Sequence, residues 1–370
     1  MGGLRRGGAD RAAGPTLSMA KQILGRMGWL RRIVVVVALA YPLALFGVVI
    51  ALRYIGERWW FTAGLAYLPR LGFALPLPFI VVALLVLGLR RLLVSQAVAL
   101  GLVVFPLMGL VLPWPSGAAG GTKMRVMSFN INSAAGGEDK IIEQVARYSP
   151  DILVMQEIGQ SGESLAKRLA SRYDSVRLST QFLAASRYPI LSLLEPERIP
   201  LYGNMRSPRF IQLVVDTPLG KIALYDVHPI SPREGLSAIR GRGLRSELRS
   251  GRLLTGANAP VLRANDLLRG LQVEAIASLA AREPHPVIIA GDTNLPGLSA
   301  IFHRQLGNYQ DGFVEAGSGF GYTFPTNRVP WMRIDRILAS DAFRFVHFEV
   351  GDSKVSDHRC VVADLELRAP

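Results

Sequence analysis

The sequence predicts an α/β domain carried behind a membrane-spanning segment, and three observations predict it. Three long uncharged apolar runs crowd the chain before residue 113. Beyond residue 124, strand-like apolar runs alternate with stretches of helical spacing, the pattern of an α/β protein. Several of those strand-like runs end in Asp, Asn, Glu or His, where a buried strand delivers polar side chains to a surface cleft.

Composition agrees with that division. The 370 residues are 50% hydrophobic, high for a soluble enzyme, and the apolar content is concentrated at the front of the chain. The net charge of +14 and a pI near 10.4 favour anionic partners: nucleic acid, anionic lipid headgroups or phosphorylated small molecules. Cys360 is the only cysteine, which excludes an intrachain disulfide and a cysteine-based zinc site. No obligate protein partner is evident.

Residues 1–32 carry Arg5, Arg6, Arg11, Lys21, Arg26, Arg31 and Arg32 against the single acid Asp10 and read as a basic tail. Residues 33–52 hold no charge and match the roughly 20 residues that cross a bilayer. The run is too long for a cleaved signal peptide, and more such runs follow. Pro42 kinks it, which membrane helices tolerate. Further uncharged runs at 71–89 and 92–112 flank Arg90 and Arg91 and read as a tight hairpin of two more spans. The basic tail and the Arg90–Arg91 turn belong on the cytoplasmic side. Trp59, Trp60, Phe61 and Tyr67, between the first two spans, suit an outer interfacial belt. Three spans place everything after Pro113 outside the cytoplasm, so the expectation is a multi-pass inner (cytoplasmic) membrane protein with an exported domain. Residues 113–123 (P-W-P-S-G-A-A-G-G-T-K) have the breakers of a linker, which makes 124–370 the exported domain.

Within that domain, residues 124–131 read as a strand ending at Asn130, and residues 138–148 as a helix. Ser149, Pro150 and Asp151 punctuate the chain before a buried-type strand at 152–155 that runs into Gln156 and Glu157. Glu157 is either an ordinary surface acid or a hard-metal ligand, since carboxylate oxygen is what Mg²⁺ prefers. Residues 182–194 read as two strands about a turn at Arg187, Tyr188 and Pro189. Residues 210–216 and 221–227 read as a hairpin that ends in His228, which is either a satisfied core histidine or a phosphate contact. Residues 287–294 (V-I-I-A-G-D-T-N) form the clearest strand and set Asp292 and Asn294 at its end. Asp292 can hold or deprotonate a water there, and Asn294 can donate to developing negative charge. Residues 332–338 read as a strand carrying Asp335. Ser356, Asp357 and His358 precede a last strand, as turn chemistry or as donors to the same cleft. His285, His303 and His347 read as surface or packing residues.

Taken in order, S-F-N (128–130), M-Q-E (155–157), V-H-P (227–229), G-D-T-N (291–294), R-I-D-R-I-L (333–338) and S-D-H (356–358) resemble the endonuclease/exonuclease/phosphatase superfamily over residues 124–367. The resemblance implies a DNase I-like four-layer α/β sandwich, two mixed β-sheets flanked by helices, with the site at one end of the sheets. It implies a Mg²⁺ (or Mn²⁺) cofactor held by Glu157, with Asn130 assisting and Asp357 as a further metal-linked carboxylate. It implies that Asp292 orients or deprotonates the attacking water while Asn294 helps hold it. His228 and His358 would contact the scissile phosphate, with Asp335 orienting His358. The activity implied is metal-dependent hydrolysis of phosphoesters. Two features bear on substrate. The stretch from His228 to Asp292 is longer than is usual in the family and carries Arg233, Arg240, Arg242, Arg245, Arg249, Arg252, Arg263 and Arg269. It reads either as a solvated loop before a helix at 265–282 or as a basic lid over an anionic substrate. Residues 319–325 (G-F-G-Y-T-F-P) read as an active-site loop offering Tyr322 and Phe324. The membrane-anchored arrangement is similar to VanJ-type glycopeptide-resistance proteins, which implies the lipid bilayer as a partner and a lipid-linked phosphate such as undecaprenyl pyrophosphate as substrate. The alternatives are a phospholipid or sphingolipid phosphodiesterase, an exported endonuclease (nucleic acid being less favoured), and a catalytically silent binding protein.

Overall fold

The computed structural model describes residues 15–113, 120–233, 235–236, 259–352 and 355–368. Arg5, Arg6 and Arg11 of the basic tail, residues 114–119 of the expected linker, and Arg240, Arg242, Arg245, Arg249 and Arg252 of the insertion lie outside the described residues.

Fourteen strands follow in chain order: β1 (Met124–Asn130), β2 (Ile152–Gln156), β3 (Ser175–Ser179), β4 (Phe182–Ser186), β5 (Ile190–Leu194), β6 (Ile199–Leu201), β7 (Asn204–Arg206), β8 (Phe210–Thr217), β9 (Gly220–Val227), β10 (Val287–Asp292), β11 (Gln310–Asp311), β12 (Asp335–Ala339), β13 (Phe343–Val350) and β14 (Val361–Leu367). They build a six-stranded sheet β13-β14-β1-β2-β4-β3, a second six-stranded sheet β11-β12-β10-β9-β8-β5, and the ribbon β6-β7. Both large sheets are mixed, since β1–β2 and β9–β10 pair parallel while their neighbours pair antiparallel.

The strand period of two sorts the core into layers. In β2, Ile152 and Val154 join Leu213, Leu224, Ile288 and Ala290 in the layer between the sheets. Leu153 and Met155 point the other way, onto Ile141, Val145, Leu165 and Leu169 of the helices Glu138–Tyr148 and Gly162–Leu169. The outer face of the second sheet, with Tyr225, Val227 and Ile289, is covered by Val273, Ile276, Ile301 and Phe302 of the helices Ala259–Ala280 and Ala300–Gln305. The layers are helix, sheet, sheet, helix, as the α/β pattern and the motif order led one to expect. The two strands expected about the turn at 187–189 are present, but β4 and β5 belong to different sheets, so the turn carries the chain from one sheet to the other. The expected strand at 332–338 begins only at Asp335.

Near the site a polar link interrupts the apolar inter-sheet layer. Gln156 donates through Nε2 to Asp226 Oδ1 at 2.6 Å and to Ser128 Oγ at 3.3 Å, all three buried. Burial pushes the Asp226 carboxyl well above the usual carboxylate range, opposed by the hydrogen bond from Gln156.

The apolar front of the chain contains two helical stretches long and apolar enough to cross a membrane, Gly28–Arg58 and Arg90–Leu107. The span expected at 71–89 is not one long helix. It holds the 11-residue helix Pro76–Val86, ~16 Å at ~1.5 Å per residue, short of the ~30 Å hydrocarbon layer. Pro76 and Pro78 open this helix because proline cannot continue one from the preceding turn. The pair Trp60–Ala66 and Arg70–Val86 passes the same test only as a broken span, bent by 98°.

The chain divides into two units, one of Met1–Phe46 with Phe73–Leu102, the other of Gly47–Gly72 with Val103–Pro370. In the first, Ala38, Ile80 and Leu84 pack together, and Ser95 and Gln96 both donate to the Ala38 carbonyl. The division differs from the one expected at 113–123, because residues 47–72 belong with the sandwich. Their buried side chains account for it. Glu57 accepts hydrogen bonds from the Ala300 and Ile301 amides at 3.1 and 3.3 Å and from the Ser299 hydroxyl, and Trp60 packs on Leu262.

Candidate active site

Topology brings six separate chain segments to one edge. β1 and β2 run parallel, as do β9 and β10, so Asn130, Glu157, His228 and Asp292 all stand at carboxyl ends. β12 is antiparallel to β10, and Asp335 pairs directly with Asp292. β14 is antiparallel to β1, which returns the residues just before Val361, including His358, to the Asn130 end. Glycine is required at 291, where φ is +149° and a Cβ would meet the Val227 carbonyl oxygen at 2.0 Å. Glu157 and Asn294 themselves adopt left-handed backbone, with φ of +53° and +51°, of the kind that re-aims a side chain at a functional edge.

Asp292 is the hub. Its Oδ1 accepts the Asn294 amide N–H at 2.9 Å, and its Oδ2 accepts from Asn130 Nδ2 at 3.1 Å and Asn294 Nδ2 at 3.3 Å. The Nε2 atoms of His228 and His358 lie 3.6 and 3.7 Å from the same Oδ2. Burial raises the Asp292 pKa, helped by the Asp335 charge and opposed by the two imidazoles. Asp335 binds His358 Nδ1 at 2.9 Å. Burial alone would lower the His358 pKa, but the Asp335 and Asp292 charges outweigh it and raise it to about 10.

Glu157 lies at the more open side, its side chain 37% exposed, with His228 Nε2 at 3.2 Å and Asn130 Nδ2 donating at 3.2 Å. The His228 imidazole, opposed by burial and aided by Asn130, holds the Glu157 carboxyl down at about 2. This is a permanently ionised, partly exposed oxygen donor, and its chemistry fits a hard divalent cation. Asn130 turns its NH₂ toward both carboxylates while its oxygen accepts the Asn132 amide at 3.1 Å, so as placed it clamps Glu157 and Asp292. Asp357 lines the same cavity, 3.8 Å from Arg233 Nη2. Among the described residues, Asp292, Asp335 and His358 also bring ligand-type atoms within 4.8 Å of one another. With both Asp335 oxygens near His358 Nδ1, that trio reads as an acid-imidazole relay rather than a cation cage.

The residues expected at the site therefore converge. Others were not anticipated. Gln181 accepts the Nδ1–H of His228 at 2.7 Å, which turns Nε2 toward the carboxylates, and Arg209 donates to the same Gln181 oxygen. The Thr323 hydroxyl accepts from the Ile334 and Asp335 amides at 3.2 and 3.3 Å. No motif marks Gln181 or Arg209, and the loop 319–325 stands out in the sequence for Tyr322 and Phe324, not for Thr323. Phe324 lies against His358 at 4.6 Å between ring centroids, as an active-site loop would place it. Tyr322 does not line the cavity; its hydroxyl donates to the Met108 carbonyl. His303, expected as a surface or packing residue, is held by Arg53 and by the Gly297 carbonyl.

The cavity over the cluster encloses about 500 Å³. Glu157, Asp292, Asn294, Asp357 and His358 line it together with Tyr67, Leu236, Phe324, Pro325, Trp331, Met332 and Ile334, and Arg233 and Arg328 stand among them.

Comparison with known proteins agrees with this architecture. A solved endonuclease/exonuclease/phosphatase from Beutenbergia cavernae DSM 12333 is similar at 20% identity and a TM-score of 0.50, over 66% of this chain and 72% of that one. The 3′-phosphatase NExo from Neisseria, bound to a product DNA hairpin, gives 16% identity and a TM-score of 0.49, over 66% of this chain and all of that one. Truncated TDP2 from Caenorhabditis elegans gives 18% and 0.46, over 66% and 97%. No curated protein matches the chain. The family model described as Endonuclease/Exonuclease/phosphatase family matches residues 127–358, well over half of the sequence, and the chain belongs to that family.

Proposed function

We propose that the protein is a membrane-anchored, divalent-metal-dependent phosphoester or pyrophosphate hydrolase acting on a lipid-linked phosphate. Family membership supports phosphoester hydrolysis in general. The observation that carries the finer reading is the make-up of the cavity. Its ionised and hydrogen-bonding groups, Asn132, Ser231 and Asn327 included, share the lining with a wall of aromatic and aliphatic side chains that includes Tyr67, from the segment that follows the first apolar helix. Such a wall suits a substrate whose phosphate is joined to a hydrocarbon, and Arg233 and Arg328 suit its negative charge.

In this reading a water lies against Asp292, which accepts its proton as the oxygen attacks phosphorus. The raised pKa makes Asp292 a better base than an ordinary aspartate. As the new P–O bond forms and the bond to the leaving oxygen breaks, charge grows on the phosphoryl oxygens. The His358 imidazolium, kept charged by Asp335, stabilises that charge, while Asn294 holds the Asp292 carboxylate in place. Glu157 would hold the cation, with Asp357 as a further carboxylate; Mg²⁺ or Mn²⁺ bound there supplies Lewis-acid neutralisation of phosphoryl and leaving-group oxygens.

The arrangement resembles VanJ-type proteins, and undecaprenyl pyrophosphate is the substrate we put first. In that setting the sandwich lies outside the cytoplasmic membrane, with three spans counting the broken one. An alkaline-phosphatase fusion at residue 120 is expected to be active; an inactive fusion would reverse the orientation. Substrate is tested by phosphate release from undecaprenyl pyrophosphate, phospholipid vesicles and plasmid DNA, each with Mg²⁺ or EDTA, using Asp292→Ala as control. Release from the polyprenyl pyrophosphate alone supports the reading. Cleavage of DNA or phospholipid instead keeps the chemistry and replaces the substrate, and no metal-dependent cleavage of any of them favours a silent binding protein.

A further inference from the structure

Two of the loops that carry catalytic candidates are held by one side chain from the segment 47–72. Tyr67 is buried, and its hydroxyl donates to the Asn294 carbonyl at 3.1 Å. The same oxygen accepts from Arg269 Nη1 at 2.9 Å. Arg269 is itself fully buried in the helix Ala259–Ala280, where it bonds Asp266 and Asn265 and donates through Nε to the Ile230 carbonyl at 2.9 Å. Ile230 lies two residues beyond His228. Asn294 closes the circuit by donating through Nδ2 to the Pro229 carbonyl at 3.0 Å. The phenol therefore bridges the loop of His228 to the loop of Asp292 and Asn294. Its ring faces the cavity, and its own carbonyl accepts from Trp331 Nε1 at 3.3 Å.

The bridge matters because of what it restrains. Asn294 has left-handed backbone, a conformation that persists only where surrounding contacts over-determine it. The Tyr67 hydroxyl and the Thr293 and Asn294 side-chain bonds are such contacts. Tyr67 is also firmly placed: Glu57 caps the helix Ala300–Gln305 ten residues earlier, and a Cβ at Gly56 would meet the Ala300 Cβ at 2.6 Å.

We infer that Tyr67 is a positioning residue for the hydrolase, fixing Asn294, and through Arg269 the His228 loop, from the segment between the first two apolar runs. The catalytic unit accordingly includes residues 47–72, and the segment 124–370 by itself lacks part of its own active site. The inference rests on the phosphoester-hydrolase reading.

The test uses the full-length, detergent-purified protein with Mg²⁺ and bis(p-nitrophenyl) phosphate, a probe that needs no knowledge of the natural substrate. Tyr67→Phe deletes only the hydroxyl and keeps the ring. A positioning role predicts kcat of the folded protein lower by about tenfold with KM within about twofold of wild type, whatever the change in melting temperature. A purely structural role would lower the melting temperature and leave kcat of the folded protein alone. Should Tyr67→Phe fold poorly, Arg269→Lys removes the guanidinium fork from the same circuit and carries the same kcat expectation. Wild-type kcat in a well-folded Tyr67→Phe overturns the inference alone, whereas a wild type inactive on bis(p-nitrophenyl) phosphate and on the polyprenyl pyrophosphate, phospholipid and DNA substrates above overturns it together with the hydrolase reading.

Discussion

Two buried charge clusters stand a few residues apart in this unit and do opposite things. Asp311 is clasped by Arg333 Nη1 at 2.7 Å and Arg336 Nη1 at 2.6 Å, and both guanidiniums also lie over aromatic rings, Phe313 and Phe302. Burial alone would raise the Asp311 carboxyl, but the two arginines outweigh it and hold it low. Around Asp292 the acids are not matched in this way. Asp292 and Asp335 share His358, Asp292 is pushed up rather than down, and the cluster opens onto a cavity. Both clusters draw on the motif R-I-D-R-I-L. Asp335 and Arg336 are adjacent in β12 and so face opposite sides of the sheet, the first into the site and the second into the structural cluster. A buried charge matched by opposite charges is costly to unpair. One left with spare acceptors beside a cavity is available for chemistry.

The largest expected effect separates the two clusters directly. Asp292→Ala should lower kcat by about 10³-fold, because it removes the base and the acceptor around which the site is ordered, with little change in melting temperature. A variant within a few-fold of wild type would remove Asp292 from the mechanism. Asp311→Ala should do the reverse: it leaves the buried Arg336 and half-buried Arg333 guanidiniums without their carboxylate and costs about 3–5 kcal/mol in chemical denaturation. If Asp311→Ala lost activity while keeping its stability, the contrast between the clusters would fail.

Smaller effects sharpen the picture. His358 titrates at about 10 against ~6.5 for a free histidine, so its folded pKa is raised. The stabilisation it contributes is complete below ~6.5 and is lost as pH rises through about 10. Activity that needs the imidazolium should show an alkaline limb in that upper region. Asp335→Asn removes the nearest anion and leaves burial to dominate, so a pH–rate profile should place that limb at lower pH. An unmoved limb would show that something else titrates there. Glu157→Gln keeps the shape but removes the ionised oxygen, and the Mg²⁺ concentration for half-maximal activity should rise by about tenfold. An unchanged titration would assign the cation to other oxygens.

Legibility followed the range of the contacts. Strands β1, β2, β9, β10 and β14 and the helix Glu138–Tyr148 were readable because each is announced by its own period, apolar or alternating, and by Gly, Pro or Asp at its ends. Asn130, Glu157, His228, Asp292, Asn294 and His358 were readable because they sit at or beside the ends of such strands. Gln181, Thr323 and Arg209 were not, since each serves a residue remote in sequence and has no local signature. The bend of 98° between Trp60–Ala66 and Arg70–Val86 was missed because an apolar run reports hydrophobicity but not continuity, and the break at 67–69 lies just ahead of the run.

By itself, the sequence determined the alternation of strands and helices, the concentration of apolar runs at the front, and the identity of the polar residues at the strand ends. These are properties of neighbouring residues, carried by short-range sterics and periodic burial. Tertiary structure alone decided that β4 and β5 part into different sheets, that Asp335 and Arg336 serve opposite faces, and that Tyr67 belongs with Asn294. These depend on strand pairing and on burial between segments more than 200 residues apart, as Tyr67 and Asn294 are. At such separations the partner of a hydrogen-bonding side chain is chosen by the fold as a whole, not by its neighbours in the chain.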